Sequence, residues 1–361
     1  MTEIVRGLQP GDPLPWLPVE LTSHGKVNLE AFGGLRTTLI FCATLADPRA
    51  DAVCRLLLAD PAASNRMDAS QATVVICAER SASRLPLFAD FSRRFAVIWD
   101  DGFVLHDAFD LREGTAFRLH GVQIDEGLRV AKRVFYTSPE QFLRELQQWP
   151  APLAIPAPVL TVPGLLDPED CRALIDAYHR HGGEESGYML AAGKDGKPVE
   201  FLDANRKRRK DHVLIPSEPL FQHIWRRYMT RLAPAMRRAF QFDLVGAERL
   251  LVGRYAHEEG GHFEKHRDWE GEDSHREFGL TVNLNAGFEG GDLFFPEFPS
   301  QKHKPAPGVG LVYSGALMHR VMPVTGGERF CLLSFLFGPR GKQALDRHVG
   351  KHGVTYDKVV V

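Results

Sequence analysis

The sequence predicts an α+β protein of two domains: an α/β domain, then a jelly roll with packed helices. Three observations carry this reading. Before Trp149, continuous apolar runs rich in branched and aromatic residues alternate with segments of helical pattern, as in strands covered on both faces. From Trp149 to Pro163 proline recurs every few residues, which favours extended, semi-rigid chain. After Arg249, short apolar runs are divided by glycine turns, the pattern of a sandwich or barrel. The expected boundaries are 1–150 for the first domain, 151–163 for a linker and 164–361 for the second. A chain of 361 residues is long enough for both.

Residues 37–43 (TTLIFCA), 72–78 (ATVVICA) and 95–99 (FAVIW) read as buried strands. Residues 122–125 and 128–135, joined at Glu126-Gly127, read as a hairpin. Ser138 as N-cap, Pro139 in the first turn and Gln141 at N3 open a helix to Gln148. Cys42, Cys54, Cys77, Cys171 and Cys331 are scattered without a CxxC pair, which suits free thiols in a reducing compartment.

After the linker, Asp167 as N-cap, Pro168 and the acids Glu169 and Asp170 start a helix that Gly182-Gly183 stops. A polar segment, 184–197, precedes the basic run Arg206-Lys207-Arg208-Arg209-Lys210. Such a run is ordinarily a solvated face, though it can meet an anionic partner or face a site mouth. Ser217 is expected to cap a helix whose Leu220, Ile224 and Tyr228 form a core-facing stripe, and Pro234 to end or kink it. Strands are expected at 250–255, 278–284, 292–295, 310–313 and 330–337.

A net charge of −2 argues against a nucleic-acid partner. No apolar run is long enough for a membrane span. Residues 1–10 lack the apolar core of a secretory signal. These point to the cytoplasm. The chemistry concentrates at His266-Arg267-Asp268, with His319 and Arg329 downstream. Positions i and i+2 of an extended strand share a face. Two imidazoles and a carboxylate form the facial triad that holds non-haem Fe(II) with positions left open. Arg329 adds a planar fork suited to a dicarboxylic acid. His262 and His266 would pair on a helix, but Gly260-Gly261 disfavours a helix there.

Around these residues the sequence resembles the Fe(II)/2-oxoglutarate dioxygenases, in their prolyl 4-hydroxylase-like branch. The matching text is Arg254-Tyr255, Gly260-Gly261-His262-Phe263, His266-Arg267-Asp268, Asn283-Leu284-Asn285, Gly290-Gly291-Asp292-Leu293-Phe294-Phe295-Pro296, His319-Arg320-Val321-Met322-Pro323-Val324 and Gly326-Gly327-Glu328-Arg329. The resemblance implies a double-stranded β-helix, with Fe(II) on His266, Asp268 and His319. It implies 2-oxoglutarate held by Arg329, Tyr255 and Asn283, O2 as oxidant, and admits ascorbate as a reductant. Relatives that halogenate lack the carboxylate, and Asp268 is present. The implied substrate is a prolyl or other residue of a peptide or protein, or an amino-acid-derived molecule. Oligomeric state stays open, a homodimer included.

The first domain resembles a thioredoxin fold of the peroxiredoxin type, through Gly11-Asp12-Pro13-Leu14-Pro15, Phe32-Gly33-Gly34 and the closing hairpin and helix. Ala50 stands where that family places its peroxidatic cysteine, and Asp47 where it has threonine. The resemblance therefore implies a non-catalytic module. The competing reading is a thiol peroxidase that uses Cys54, with an accessory metal-binding β-domain. Against it, Cys54 reads as a small buried hydrophobe.

Overall fold

The computed structural model describes all residues except 1–6, 23–24, 61–70, 81–82, 84–85, 191–198, 270–273 and 353–361. Residues 191–197 of the polar segment expected at 184–197 thus lie outside the described residues. The chain forms two compact units, 1–155 with 296–299, and 156–295 with 300–361. Both are mixed α and β.

The first unit is built on strands β1 (Pro18–Leu21), β2 (Gly25–Asn28), β3 (Arg36–Cys42), β4 (Gln71–Cys77), β5 (Ala96–Trp99), β6 (His120–Ile124) and β7 (Val130–Phe135). They form one sheet in the order β2-β1-β5-β4-β3-β6-β7. The central β3, β4 and β5 run parallel, and β6 joins β3 antiparallel. Leu39 and Phe41 enter one apolar cluster, Ile40 and Cys42 another. Burial on both faces explains why these strands read as continuous rather than alternating apolar runs. Helix α1 (Pro48–Ala59) starts at Asp47, whose carboxylate accepts from Arg49 N–H at 2.9 Å. Helix α2 (Pro139–Gln147) starts at Ser138, whose hydroxyl accepts from Gln141 N–H at 3.3 Å.

The second unit carries helices α3 (Pro168–His181), α4 (Pro219–Arg227) and α5 (Ala233–Phe240). Asp170 accepts from the Asp167 N–H at 3.0 Å, closing the first turn of α3. Two expectations are corrected here. The N-cap of α4 is Glu218, not Ser217, because Pro219 takes the first helical position and fixes the cap one residue later. Pro234 does not end the helical run: a π turn at Tyr228–Leu232 precedes α5, and Pro234 falls in its first turn. The wide turn accommodates the missing N–H and the ring.

The strands of its two larger sheets are β8 (Leu160–Val162), β9 (Glu184–Glu185), β10 (Lys207–Arg208), β11 (Lys210–Val213), β12 (Gly246–Ala256), β13 (His262–His266), β14 (Phe278–Asn283), β15 (Leu293–Phe294), β16 (Lys302–His303), β17 (Gly310–Ser314), β18 (His319–Val321) and β19 (Glu328–Phe337). A seven-stranded sheet runs β8-β17-β14-β19-β12-β11-β9, and a five-stranded one β10-β13-β18-β15-β16. Leu250, Val252, Leu280, Val282, Val312, Leu332 and Leu336 pack with Leu174, Ile224, Tyr228 and Met236 of the helices. Strand periodicity turns the alternate residues, Tyr255, Thr281, Asn283, Tyr313 and Arg329, to the opposite face.

Candidate metal and co-substrate site

His266 is the last residue of β13 and stands opposite His319 of β18. Asp268 lies just past the strand, on a bend rather than on the strand expected. There its N–H and that of Trp269 donate to the Gly315 carbonyl, at 3.0 and 2.9 Å. The Asp268 carboxylate is thereby turned back between the rings. Asp268 Oδ1 is 3.6 Å from His266 Nε2, and Oδ2 is 3.5 Å from His319 Nε2. The candidate ligand atoms all lie within 4.8 Å of one another.

The tautomers follow from the partners. His266 Nδ1 faces the Glu264 carbonyl at 2.7 Å, and His319 Nδ1 the Leu317 carbonyl at 3.0 Å. A carbonyl only accepts, so each Nδ1 carries the hydrogen and each Nε2 offers its lone pair toward Asp268. Burial, with His319 next to it, holds the His266 imidazole well below its usual range, in the neutral form. Asp268 Oδ2 is buried and accepts no hydrogen bond among the described residues. A bare buried carboxylate oxygen between two imidazole lone pairs is costly by itself and fits a divalent cation. Phe263 stacks on His266 at 3.7 Å between centroids and fixes the ring plane.

Arg329 is buried, across the strand pair from Tyr255. Its Nε donates to Asn283 Oδ1 at 2.9 Å and its Nη2 to Thr281 Oγ1 at 3.2 Å, while Nη1 is buried with no partner among the described residues. Its guanidinium lies 5.3 Å from the Tyr255 ring centre. An unpaired buried guanidinium N–H costs desolvation energy that an incoming carboxylate would recover. Asn283, expected as a co-substrate contact, accepts from Arg329 Nε at Oδ1 and donates from Nδ2 to the Pro305 carbonyl at 2.8 Å. Tyr255 hydroxyl accepts from Arg209 Nη1 at 3.3 Å.

Three residues at this site were not singled out from sequence. Thr281 anchors Arg329, and only the β14 alternation with Asn283 could have flagged it. Tyr313 places its hydroxyl 3.3 Å from His319 Nε2, the nitrogen a metal would take. Gly279 opposes it, and a Cβ there would lie 2.5 Å from the Tyr313 ring. Arg209 belongs to the basic run that reads as a solvated face or as a site mouth, with neither assigned to Arg209 alone. The run alternates instead: Lys207 and Arg209 are buried, Arg206 and Arg208 exposed. Strand pairing of 207–208 and 210–213 turns every second cation inward. His262 lies on a strand, with both ring nitrogens against carbonyls, of Gly260 and Asn205.

In the first unit Ala50 occupies the first turn of α1 and is buried. Cys54 is 2 % exposed, and burial pushes its thiol up to about 12. Arg55, one residue on, turns outward to Asp51 at 2.7 Å.

Residues 250–337 match the model of the 2OG-Fe(II) oxygenase superfamily. No curated protein matches the chain. Among solved structures, a Pseudomonas putida prolyl-4-hydroxylase is 19% identical over 50% of this chain and 92% of its own, with a TM-score of 0.39. A Trichoplax adhaerens prolyl hydroxylase, in complex with a hypoxia inducible factor peptide fragment, is 15% identical over 51% and 86%, with a TM-score of 0.41. A Xylella fastidiosa PrxQ mutant is 17% identical over 39% and 96%, with a TM-score of 0.32.

Proposed function

We propose that this chain, a 2-oxoglutarate-dependent dioxygenase by the 2OG-Fe(II) oxygenase match of residues 250–337, hydroxylates a peptidyl or amino-acid-derived substrate, a prolyl residue first among the candidates. Its cofactors are Fe(II), 2-oxoglutarate and O2. We take the second unit as a double-stranded β-helix and the first as a thioredoxin-like module without peroxidase activity.

The observation that carries the reading is the pairing of two unsatisfied groups: the bare Asp268 Oδ2 and the free Arg329 Nη1. His266, Asp268 and His319 would hold the metal, and their Nε2 and carboxylate oxygens are already turned inward. Bound Fe(II) supplies, with 2-oxoglutarate and O2, the oxidising chemistry that turns C–H into C–OH. The chain's own residues do the rest. Arg329 would grip the distal carboxylate with an N–H that has no other partner among the described residues, and Asn283 and Thr281 hold its fork in place. Tyr255 adds a second polar group beside it. Phe263, Phe295 and Tyr313 supply apolar surface around the triad that excludes water.

The test is turnover of iron-loaded protein against peptide and amino-acid libraries, read by mass spectrometry. The expected product gains one oxygen atom and its formation consumes 2-oxoglutarate stoichiometrically. Consumption of 2-oxoglutarate that no peptide or amino acid stimulates would move the substrate to another class. The competing peroxidase reading meets a buried Cys54 whose thiol stays protonated.

A further inference from the structure

The hydroxyl of Tyr255 has one proton to give, and its environment decides where that proton goes. A phenol oxygen both donates and accepts, whereas a guanidinium only donates. Arg209 Nη1 points at the Tyr255 oxygen from 3.3 Å, so in this contact the phenol accepts. Tyr255 is 1 % exposed, and among the described residues its own proton has no acceptor. Next to it lies the other unsatisfied donor, Arg329 Nη1, on a guanidinium centred 5.3 Å from the phenol ring. Two buried donors with nothing to receive them describe the outline of an anion.

Arg209 is itself fixed. Its Nε and Nη2 grip both carboxylate oxygens of Asp211, each at 2.6 Å. Their side chains are nearly fully buried; Arg209 lies in the link between β10 and β11, and Asp211 on β11 stands opposite Gly253, on the face shared with Tyr255. The bidentate pair uses the Nε–Nη2 edge of the guanidinium and leaves Nη1 for Tyr255. Lysine could not make both contacts with this geometry.

We propose that Arg209, locked by Asp211, is a positioning residue that makes Tyr255 a hydrogen-bond donor to the carboxylate of 2-oxoglutarate. The inference rests on the reading of the site as a 2-oxoglutarate pocket. Arg209 touches neither metal nor co-substrate in this account; it acts through the phenol.

The test is anaerobic calorimetric titration of the full-length, Fe(II)-loaded protein with 2-oxoglutarate, alongside kcat at saturating co-substrate. The double variant Arg209→Met/Asp211→Leu removes the ion pair as a unit, which buried pairs tolerate better than loss of one partner. It should weaken 2-oxoglutarate binding about tenfold, the scale of one charge-assisted hydrogen bond. Tyr255→Phe should weaken it similarly, and the triple variant no further than Tyr255→Phe alone. Iron content and kcat at saturation should hold in the Arg209→Met/Asp211→Leu double variant. Wild-type affinity in the double variant, or losses that add in full in the triple variant, overturns the proposal and leaves the pocket reading intact. Absence of 2-oxoglutarate binding by the wild-type protein overturns both. Should the double variant not fold, Arg209→Lys keeps the charge beside Asp211 without the third arm, and the same outcomes apply to it.

Discussion

Asp268 shows how much a single residue decides. Its backbone is held by Gly315, which leaves the carboxylate free to face two imidazole lone pairs. Asp268→Ala is therefore expected to abolish iron retention and hydroxylation, checked by metal analysis and product formation. Arg329→Ala should weaken 2-oxoglutarate binding by about 2–5 kcal/mol, the usual cost of truncating a buried charged partner. Arg329→Lys should recover only part, since it loses the fork that Asn283 and Thr281 hold. An unchanged apparent affinity in Arg329→Ala would place the carboxylate elsewhere. The triad and Arg329 were legible because their residue types and order are themselves chemical. Thr281, Tyr313 and Arg209 were not, because their roles depend on strand register. Asn283 was read as a co-substrate contact; that its Oδ1 also holds Arg329 Nε depends on strand register as well.

At the scale of elements, β14 alternates between the helix-facing core and the site. Gly279 is the position where that alternation needs space, because Tyr313 lies against it. Gly279→Ala is expected to cost about 1–3 kcal/mol through overpacking. It should also displace Tyr313, so thermal stability and turnover should fall together. The start of β12 carries a second device. A register shift between Ala247 and Leu250 accompanies the burial of Glu248, which accepts from His275 Nε2 at 2.8 Å and from Arg276 at 2.5 and 2.9 Å. These partners end the segment that joins the triad strand to β14. Burial alone would raise the Glu248 carboxyl, but Arg276 and His275 outweigh it and hold it well below the ordinary range. A depressed folded-state pKa gives stability that is present above the unfolded value and lost as pH falls through the folded one. Acid unfolding should therefore flatten in Glu248→Gln relative to wild type. Identical pH profiles would show that Glu248 contributes no such linkage. Helix starts at Asp167 and Ser138 were legible from their caps. The start at Glu218 and the passage through Pro234 were not, since local proline chemistry and a π turn set them.

Over the whole molecule, the two compact units divide the chemistry. The first keeps its thiols in the core: Cys42, Cys54 and Cys77 are all buried. With its thiol pushed up to about 12, Cys54 should resist alkylation in the native protein at neutral pH and consume no peroxide rapidly. Fast, Cys54-dependent peroxide reduction in stopped-flow would reverse this reading. Every proposed metal and co-substrate residue lies in the second unit, which has its own apolar core. A chain lacking residues before Pro156 is expected to retain substrate-independent decay of 2-oxoglutarate, with altered substrate affinity or solubility. In the sequence the expected division rests on the change from continuous to glycine-divided apolar runs; the compact units part at 155/156, with 296–299 joining the first. Strand order was not legible there, because non-local pairing such as β12 with β19 leaves no local pattern.

The central claim is that His266, Asp268 and His319 hold iron beside a 2-oxoglutarate pocket built on Arg329. Its most direct test is anaerobic titration of the purified protein with Fe(II) and then 2-oxoglutarate, followed by the absorption of the chelate. The account predicts one Fe(II) per chain and a saturable absorption band, both lost in the His266→Ala/His319→Ala variant. Undiminished iron binding and the same band in that variant would contradict it.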